Sequence, residues 1–264
     1  MTFAPPTNVP LRKDRAGDIR NCPVCGFPVR VVRRDGGYAD KYAPMVYEKL
    51  EESLPSESPE IAKKLRELRK GKKTVAIVGM APSTCSLAPW EDKTCEIWAL
   101  NEMHAFPWVK RITRLFQMHP RWSFTREVAV RNVKGHFDWL QQKHGFPIYM
   151  QFKHDDIPDS VEYPLHEVKA LLGNLWKGDA HPSYWTSTFV YMIALAVLEK
   201  FERIEIYGFE MAGMDEYGPQ KACGEAWIFY ALGHGIEVYL PKVCQMISGP
   251  LYGYEGMGPR NIVP

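Results

Sequence analysis

Small and polar residues follow several apolar segments of this 264-residue chain, where short strands are expected to end. They are Gly79, Ala81, Pro82 and Ser83 after the first segment, Asn101 and Glu102 after the second, His119 after the third, and Gly208 and Glu210 after a later one. Glycine and alanine let a backbone approach a ligand closely. Hydroxyl and amide groups can hydrogen-bond phosphate and ribose, while a carboxylate or an imidazole can accept a proton. The pattern indicates a site for a phosphorylated ligand.

A second set of hydroxyls, on Thr186, Ser187 and Thr188, opens the apolar stretch 186–201, which we predict to be a buried helix. The first N–H groups of a helix have no partner within the helix and carry a partial positive charge. Phosphate is a natural ligand for such a helix start, and neighbouring hydroxyls add further hydrogen bonds. We therefore place these residues in the same predicted nucleotide site.

The candidates for proton transfer are Glu210, Asp215, Glu216 and His119, with His181 as a further possibility near the long helix. A carboxylate at the ligand edge of a strand can accept from ribose or act as a base, and it can equally serve as a turn partner. Acidic residues on a loop are often only solvated, and a histidine at a strand end can be structural. We interpret the remaining histidines as ordinary: His104, His136, His144, His154, His166 and His234.

The elements that must position these groups alternate along the chain. Predicted strands cover 74–79, 96–102, 112–120, 146–151, 203–211 and 236–241, and predicted helices cover 122–143, 186–201 and 223–235, with a turn and a short helix over 160–174. This alternation predicts an α/β, Rossmann-like fold with a mostly parallel sheet flanked by helices. Ligands of such folds bind at the carboxyl ends of the strands, where the residues named above would meet.

The part of the chain before this core differs in composition. We predict a small basic N-terminal segment over residues 1–42, a helical linker over 43–73 with Ser58 as a helix N-cap, and a nucleotide-binding α/β domain over 74–264. Cys22 and Cys25 form a Cys-x-x-Cys knuckle that suits two of the four ligands of a structural zinc. A metal completed from elsewhere and a metal-free knuckle both remain open.

Charge and hydropathy limit the kinds of partner that we expect the protein to bind. The net charge is only +2, yet residues 1–34 and 60–73 each carry seven Lys or Arg. Such a surface can attract DNA, or it can simply be solvated. The start lacks the apolar region of a secretion signal, and no apolar run reaches membrane-spanning length. We expect a cytoplasmic protein that does not enter a membrane and lacks a disulfide framework; a homo-oligomer is compatible with the sequence.

Four motifs carry a resemblance to a known group of enzymes. "VAIVGMAPS", "IWALNEM", "LFQMHP" and "TSTFVYMIALAVLEKFERIEIYGFEM" occur in this order within roughly 74–241. The chain thereby resembles bacterial sialyltransferases of the Campylobacter type, in a wider group with motility-associated glycosyltransferases and 6-hydroxymethylpterin pyrophosphokinase-like proteins. The segments "EYGPQKACGEAWIFYALGHGIEVYLP" and "PLYGYEG" also resemble phage and prophage proteins.

The resemblance implies a glycosyltransferase-A-like fold variant and a CMP- or UDP-sugar site. The turn 79–83 and Ser187 would face phosphate, while Asn101 and the Gly208 segment would hold ribose and base. The sequence departs from the family pattern where Ala81 and Thr188 each replace a glycine. The segment 211–227 lacks the catalytic histidine that the sialyltransferases place there.

The leading hypothesis is a glycosyltransferase-like enzyme that uses a nucleotide-activated sugar. Its acceptor is open between a modified base in phage DNA and a saccharide. One alternative is an ATP-dependent pyrophosphokinase-like enzyme, which would need a divalent cation. The other is a non-enzymatic phage protein that sequesters a nucleotide.

Overall fold

The computed structural model describes residues 19–21, 28–30, 56, 58–81, 83–106, 108–125, 135–173, 184–211, 217–244 and 246–247. The strands are β1 Ile19–Asn21, β2 Pro28–Arg30, β3 Thr74–Val78, β4 Cys95–Leu100, β5 Arg114–Gln117, β6 Ile148–Met150, β7 Ser160–Glu162, β8 Arg203–Tyr207 and β9 Glu237–Tyr239. The helices are α1 Pro59–Arg69, α2 His136–Leu140, α3 Leu165–Gly173, α4 Thr188–Leu198 and α5 Tyr217–Gly233. Short 3-10 helices span Cys85–Leu87, Asn101–Ala105 and Arg121–Ser123.

Seven strands form one parallel sheet in the order β7-β6-β5-β4-β3-β8-β9. The predicted α/β class with a mostly parallel sheet is confirmed. β3 and β8 are buried along their whole length, as strands covered on both faces must be. β1 and β2 form a separate two-stranded antiparallel pair, and Cys22 and Cys25 between them lie outside the described residues.

The helix α4 packs in the centre of the core. Eight of its eleven residues are buried, which explains why its sequence is apolar on nearly every side. Because α4 follows β7 and precedes β8 in a parallel sheet, its amino end lies at the carboxyl edge of the sheet. The predicted buried helix over 186–201 thus exists and begins at Thr188.

The helix α1 lies in the segment predicted as a linker. Ser58 is its N-cap, as predicted, and its Oγ accepts a hydrogen bond of 3.3 Å from the Ile61 N–H. Leu65 and Arg69 are the buried residues of this helix. The Arg69 guanidinium donates to Glu205 of β8 and to Asp92, so that α1 is tied to the sheet through a buried ion pair.

Two predictions of local structure were wrong. Ser160–Glu162, predicted as a turn, is the edge strand β7, which pairs in parallel with β6. Its three residues are too few and too polar to show a strand pattern, and backbone pairing to β6 is what defines it. The helix that closes with Gly235 begins at Tyr217 rather than at Cys223, because Pro219 falls in its first turn, where proline is tolerated.

Candidate functional site

The strand order changes direction between β3 and β8, and we call the carboxyl edge of the sheet at this point the crevice. From β3 the chain builds outwards through β4, β5, β6 and β7, and then returns to place β8 and β9 on the other side of β3. Open α/β sheets bind their ligands at such a switch point.

Two glycine backbones form the floor of this crevice. A Cβ on Gly79 would collide with the Gly208 carbonyl oxygen, and a Cβ on Gly208 would collide with the backbone of Gly79. Gly208 also has a φ of +69°, which favours glycine. The two strand ends approach each other so closely that neither position has room for a side chain.

Hydrogen bonds across this contact occupy several backbone groups of the predicted phosphate turn. The Gly79 N–H donates to the Tyr207 carbonyl at 2.8 Å, and the Ala81 N–H donates to the Gly208 carbonyl at 2.8 Å. The Gly208 N–H donates to Thr84 Oγ1 at 2.6 Å. These N–H groups hold the two loops together and are not available to a ligand.

The start of α4 lies against the same crevice. The ring of Phe189, in the first turn of α4, stacks on Phe209 with 4.1 Å between centroids, and a Cβ on Gly79 would also strike Phe209. Ser187 is the N-cap of α4, yet its hydroxyl makes no capping hydrogen bond. The positive end of the helix dipole and a spare hydroxyl thus meet at one place.

Three predicted ligand residues carry buried oxygens that lack a partner. Ser83 Oγ, Asn101 Oδ1 and Ser187 Oγ are inaccessible to water and accept or donate no hydrogen bond within the described structure. Asn101 also has a φ of +50°, in the left-handed region, immediately after β4. Buried polar groups are normally hydrogen-bonded, so these unpartnered oxygens make this edge of the sheet the candidate ligand site.

Glu210, the predicted acid–base residue after β8, is half-buried. Burial raises the pKa of its carboxyl group above the usual value. Its charge also acts on the thiols of Cys85 and Cys244, whose pKa values are raised chiefly by burial. Glu210 is therefore close to the 3-10 helix that follows the turn 79–83.

A histidine cluster, formed by His104, His136 and His144 around Trp139, lies beyond β4 and β5. His104 Nε2 and His136 Nδ1 are 2.8 Å apart, and His136 Nε2 lies 3.3 Å from Gln117 Oε1. The indole of Trp139 is stacked between the rings of His104 and His144, with 3.7 Å between centroids on each side.

Burial lowers the pKa of two histidines of the cluster, His104 and His136. It lowers the pKa of His104 to about 4, with a smaller contribution from His144. It lowers the pKa of His136 to about 3, with contributions from His104 and from His119. His119, predicted as a candidate base, thus lies near this cluster at the end of β5.

Other predicted residues occupy different positions. Thr186 Oγ1 donates to the Pro219 carbonyl at 3.2 Å, which turns this hydroxyl towards α5. Thr188 is the first residue of α4, and Glu102 lies in the 3-10 helix after β4. Several predicted site residues lie outside the described residues: Pro82, Asp215, Glu216 and His181.

Patterns in the sequence contain little sign of the histidine cluster. His104 and His136 are 32 positions apart, and their meeting depends on how the loop after β4 packs against α2. The one available signal was that His104 follows Asn101 by one turn of a short helix. The interpretation of His104, His136 and His144 as ordinary histidines stays a prediction, and the structure adds that the three form one cluster.

The described residues show neither a metal centre nor a membrane span. Within them, no three His, Cys, Asp or Glu side chains converge on a point that could hold a metal ion. None of the described helices has the length and apolar character to cross a membrane.

Comparisons with known proteins give a distant likeness. No protein-family model matches the chain, and no curated protein sequence is significantly similar to it. Among solved structures, sialyltransferase CstII from Campylobacter jejuni in complex with cytidine-5'-monophosphate is similar over 65% of this chain and 80% of that chain, with 14% identity and a TM-score of 0.38. The complex of CstII with CMP-3FNeuAc has 15% identity and a TM-score of 0.40 over the same shares. The complex with a trisaccharide acceptor and CMP has 13% identity and a TM-score of 0.36, over 65% of this chain and 81% of that chain.

Proposed function

We propose that the crevice between β3 and β8 binds a nucleotide-activated sugar and that the protein is a glycosyltransferase-like enzyme. One observation carries this proposal: Ser83 Oγ, Asn101 Oδ1 and Ser187 Oγ are buried without partners around the switch point. A ligand rich in hydroxyl and phosphate oxygens would satisfy all three. The motifs shared with the sialyltransferase group support the same kind of ligand.

The amino end of α4 is the best phosphate site. Ser187 leaves the first-turn N–H groups of α4 without a side-chain cap, and its own hydroxyl is spare. These groups would stabilise the negative charge that develops on the leaving phosphate. Asn101 and the Gly208 segment are then left for ribose and base, as the family resemblance implies.

The reaction would be a displacement at the anomeric carbon of the sugar. The acceptor oxygen forms a new bond to that carbon, the bond to the nucleotide phosphate breaks, and a base takes the acceptor proton. Glu210 is one candidate, because burial raises the pKa of its carboxyl group and makes it a better proton acceptor. His119 remains a second candidate, and Asp215 and Glu216 remain candidates from sequence.

The acceptor is tested separately, by transfer assays with saccharides and with duplex DNA containing modified bases. The exposed basic residues Lys63, Lys64 and Arg66 of α1 lie in the region expected to attract DNA. Binding to DNA through such residues would weaken steeply with salt. Binding to duplex that is insensitive to salt would exclude this role for α1.

The nucleotide is tested by calorimetry and thermal shift with CMP, CMP-sugars, UDP-sugars and ATP with Mg²⁺. We expect a cytidine or uridine nucleotide to raise the melting temperature and its sugar to be cleaved slowly. Ser187→Ala should weaken nucleotide binding by about 10-fold or more, since a hydrogen bond to a charged group contributes about 1.5–3 kcal/mol. The matched control is Ser58→Ala, which removes a serine that only caps α1.

Other outcomes point to other functions. Stabilisation by ATP and Mg²⁺ with pyrophosphate transfer would indicate the pyrophosphokinase-like enzyme. Tight binding of one nucleotide without turnover would indicate a sequestering protein. If no nucleotide shifts the melting temperature, the crevice is not a nucleotide site.

A further inference from the structure

The histidine cluster contains a hydrogen-bonded chain with a defined direction. Gln117 Oε1 can only accept, so the proton between it and His136 belongs to His136 Nε2. A neutral His136 then has an unprotonated Nδ1, which must accept from His104 Nε2. These partners assign the tautomer of His104 and leave its Nδ1 as a free proton acceptor.

His104 lies three residues after Asn101, a residue of the candidate site. His104 belongs to the 3-10 helix Asn101–Ala105, which begins with Asn101 at the carboxyl end of β4. Met103, between them, is fully buried and anchors this short helix. His104 is only half-buried, whereas His136 behind it is inaccessible. The hydrogen-bonded series therefore runs from the buried Gln117 and His136 to the half-buried His104, towards the edge of the sheet where the ligand is expected.

We propose that His104 is the general base of the site and that His136 is the residue that positions it. This assignment rests on the proposed function. His104 Nδ1 takes the proton of the acceptor hydroxyl while the acceptor oxygen bonds to the anomeric carbon and the bond between that carbon and the phosphate oxygen breaks. The products are the glycosylated acceptor, a nucleotide that keeps the electron pair of the broken bond, and a His104 imidazolium.

The surroundings of His104 suit this role. When Nδ1 takes a proton, Nε2 still donates to His136 Nδ1, and that hydrogen bond becomes charge-assisted and stronger. Stacking on Trp139 fixes the ring plane. The titratable groups that face this pair are His144, across Trp139, and His119, beside His136.

The low pKa of His104, about 4, keeps Nδ1 unprotonated at neutral pH. The phosphates of a bound nucleotide would raise that pKa towards the working range, since a nearby negative charge favours the imidazolium. The absence of a histidine from the segment 211–227 is then no obstacle to the chemistry, because the base comes from the loop after β4.

The test compares His104→Gln, His104→Ala and the control His144→Gln. His144 stacks on the same indole, but its Nε2 contacts the Trp139 carbonyl rather than the chain to Gln117. CMP binding is measured by calorimetry, and sugar release from CMP-N-acetylneuraminic acid and UDP-sugars by single-turnover kinetics. Thermal melts verify that each variant is folded.

We expect His104→Gln to bind CMP within about threefold of the parent while the rate of sugar transfer falls about 10²- to 10⁴-fold, the range for a lost general base. Added imidazole should restore part of the rate in His104→Ala, which a purely structural role would not allow. His136→Gln should keep CMP binding and shift the acid limb of the pH–rate profile.

Two different results would overturn the assignment of His104 as the general base. If the parent transfers sugar and His104→Gln does so within about threefold, the base is another residue and only this inference fails. If the parent neither binds nor cleaves any nucleotide sugar, the proposed function fails and the assignment of the base fails with it.

Discussion

Replacing His136 should flatten the dependence of stability on pH. His136 is fully buried, and its pKa in the folded protein is about 3. An imidazole in an unfolded chain has a pKa of about 6.5. As pH falls below about 6.5, the unfolded state binds a proton that the folded state excludes, so the free energy of unfolding decreases. This loss continues until the pH reaches the folded value.

The size of this decrease in the free energy of unfolding follows from the proton that the unfolded state takes up. Each pH unit below about 6.5 costs about 1.4 kcal/mol per excluded proton, so His136 alone lowers stability by about 2 kcal/mol between pH 7.5 and pH 5.0. His104, with a pKa of about 4, behaves in the same way. Because His104 contributes to the low pKa of His136, the two together should cost about 2–4 kcal/mol rather than a strict sum.

The assay is urea unfolding at pH 7.5, 6.5, 5.5 and 5.0, a range above the titration of most carboxylates. His136→Gln keeps a side chain that can donate to Gln117 and accept from His104. Its loss of stability between pH 7.5 and pH 5.0 should be about 2 kcal/mol smaller than that of the parent. His166→Gln, which replaces an exposed histidine, is the control for a change of residue type. If His136→Gln and the parent lose stability equally, His136 is not held neutral in the folded protein and the hydrogen-bond chain is wrongly assigned.

Three further substitutions test interactions that stabilise the fold. Gly208→Ala should lower the free energy of unfolding in urea by about 3 kcal/mol or more, because it adds a collision with Gly79 to the strain of a positive φ. The control is Gly71→Ala, because Gly71 has a φ of +71° and nothing near its Cβ. This control measures the strain alone and should cost about 1–2 kcal/mol. Glu205→Gln should lower the free energy of unfolding by about 3 kcal/mol, since it removes the negative charge that pairs with the buried Arg69. Glu67→Gln, which breaks an exposed ion pair, is the control, and an equal cost for both variants would contradict this reason. Ser58→Ala should cost about 1 kcal/mol through the lost cap of α1, and an unchanged melting temperature would show that the cap is dispensable.

The sequence predicted the sheet because the sheet depends on local patterns. Strands such as β3 and β8 are continuous apolar runs, and the glycines after them mark places where the backbone must pass closely. The edge strand β7 escaped prediction because its three residues, two of them polar, are defined by pairing with β6. The histidine cluster escaped because contacts between residues 32 positions apart leave no periodic signal.

The two edges of the sheet treat their buried polar groups differently. At the amino edge the charges are paired: Arg114 donates to Glu96 and Glu199, and Arg203 donates to Glu205 and Glu237.

The carboxyl edge holds Ser83, Asn101 and Ser187, whose buried oxygens have no partner within the described structure, and a left-handed backbone at Asn101. Unpartnered groups are destabilising unless something else completes them, and their concentration around one crevice is the physical reason to place the ligand there.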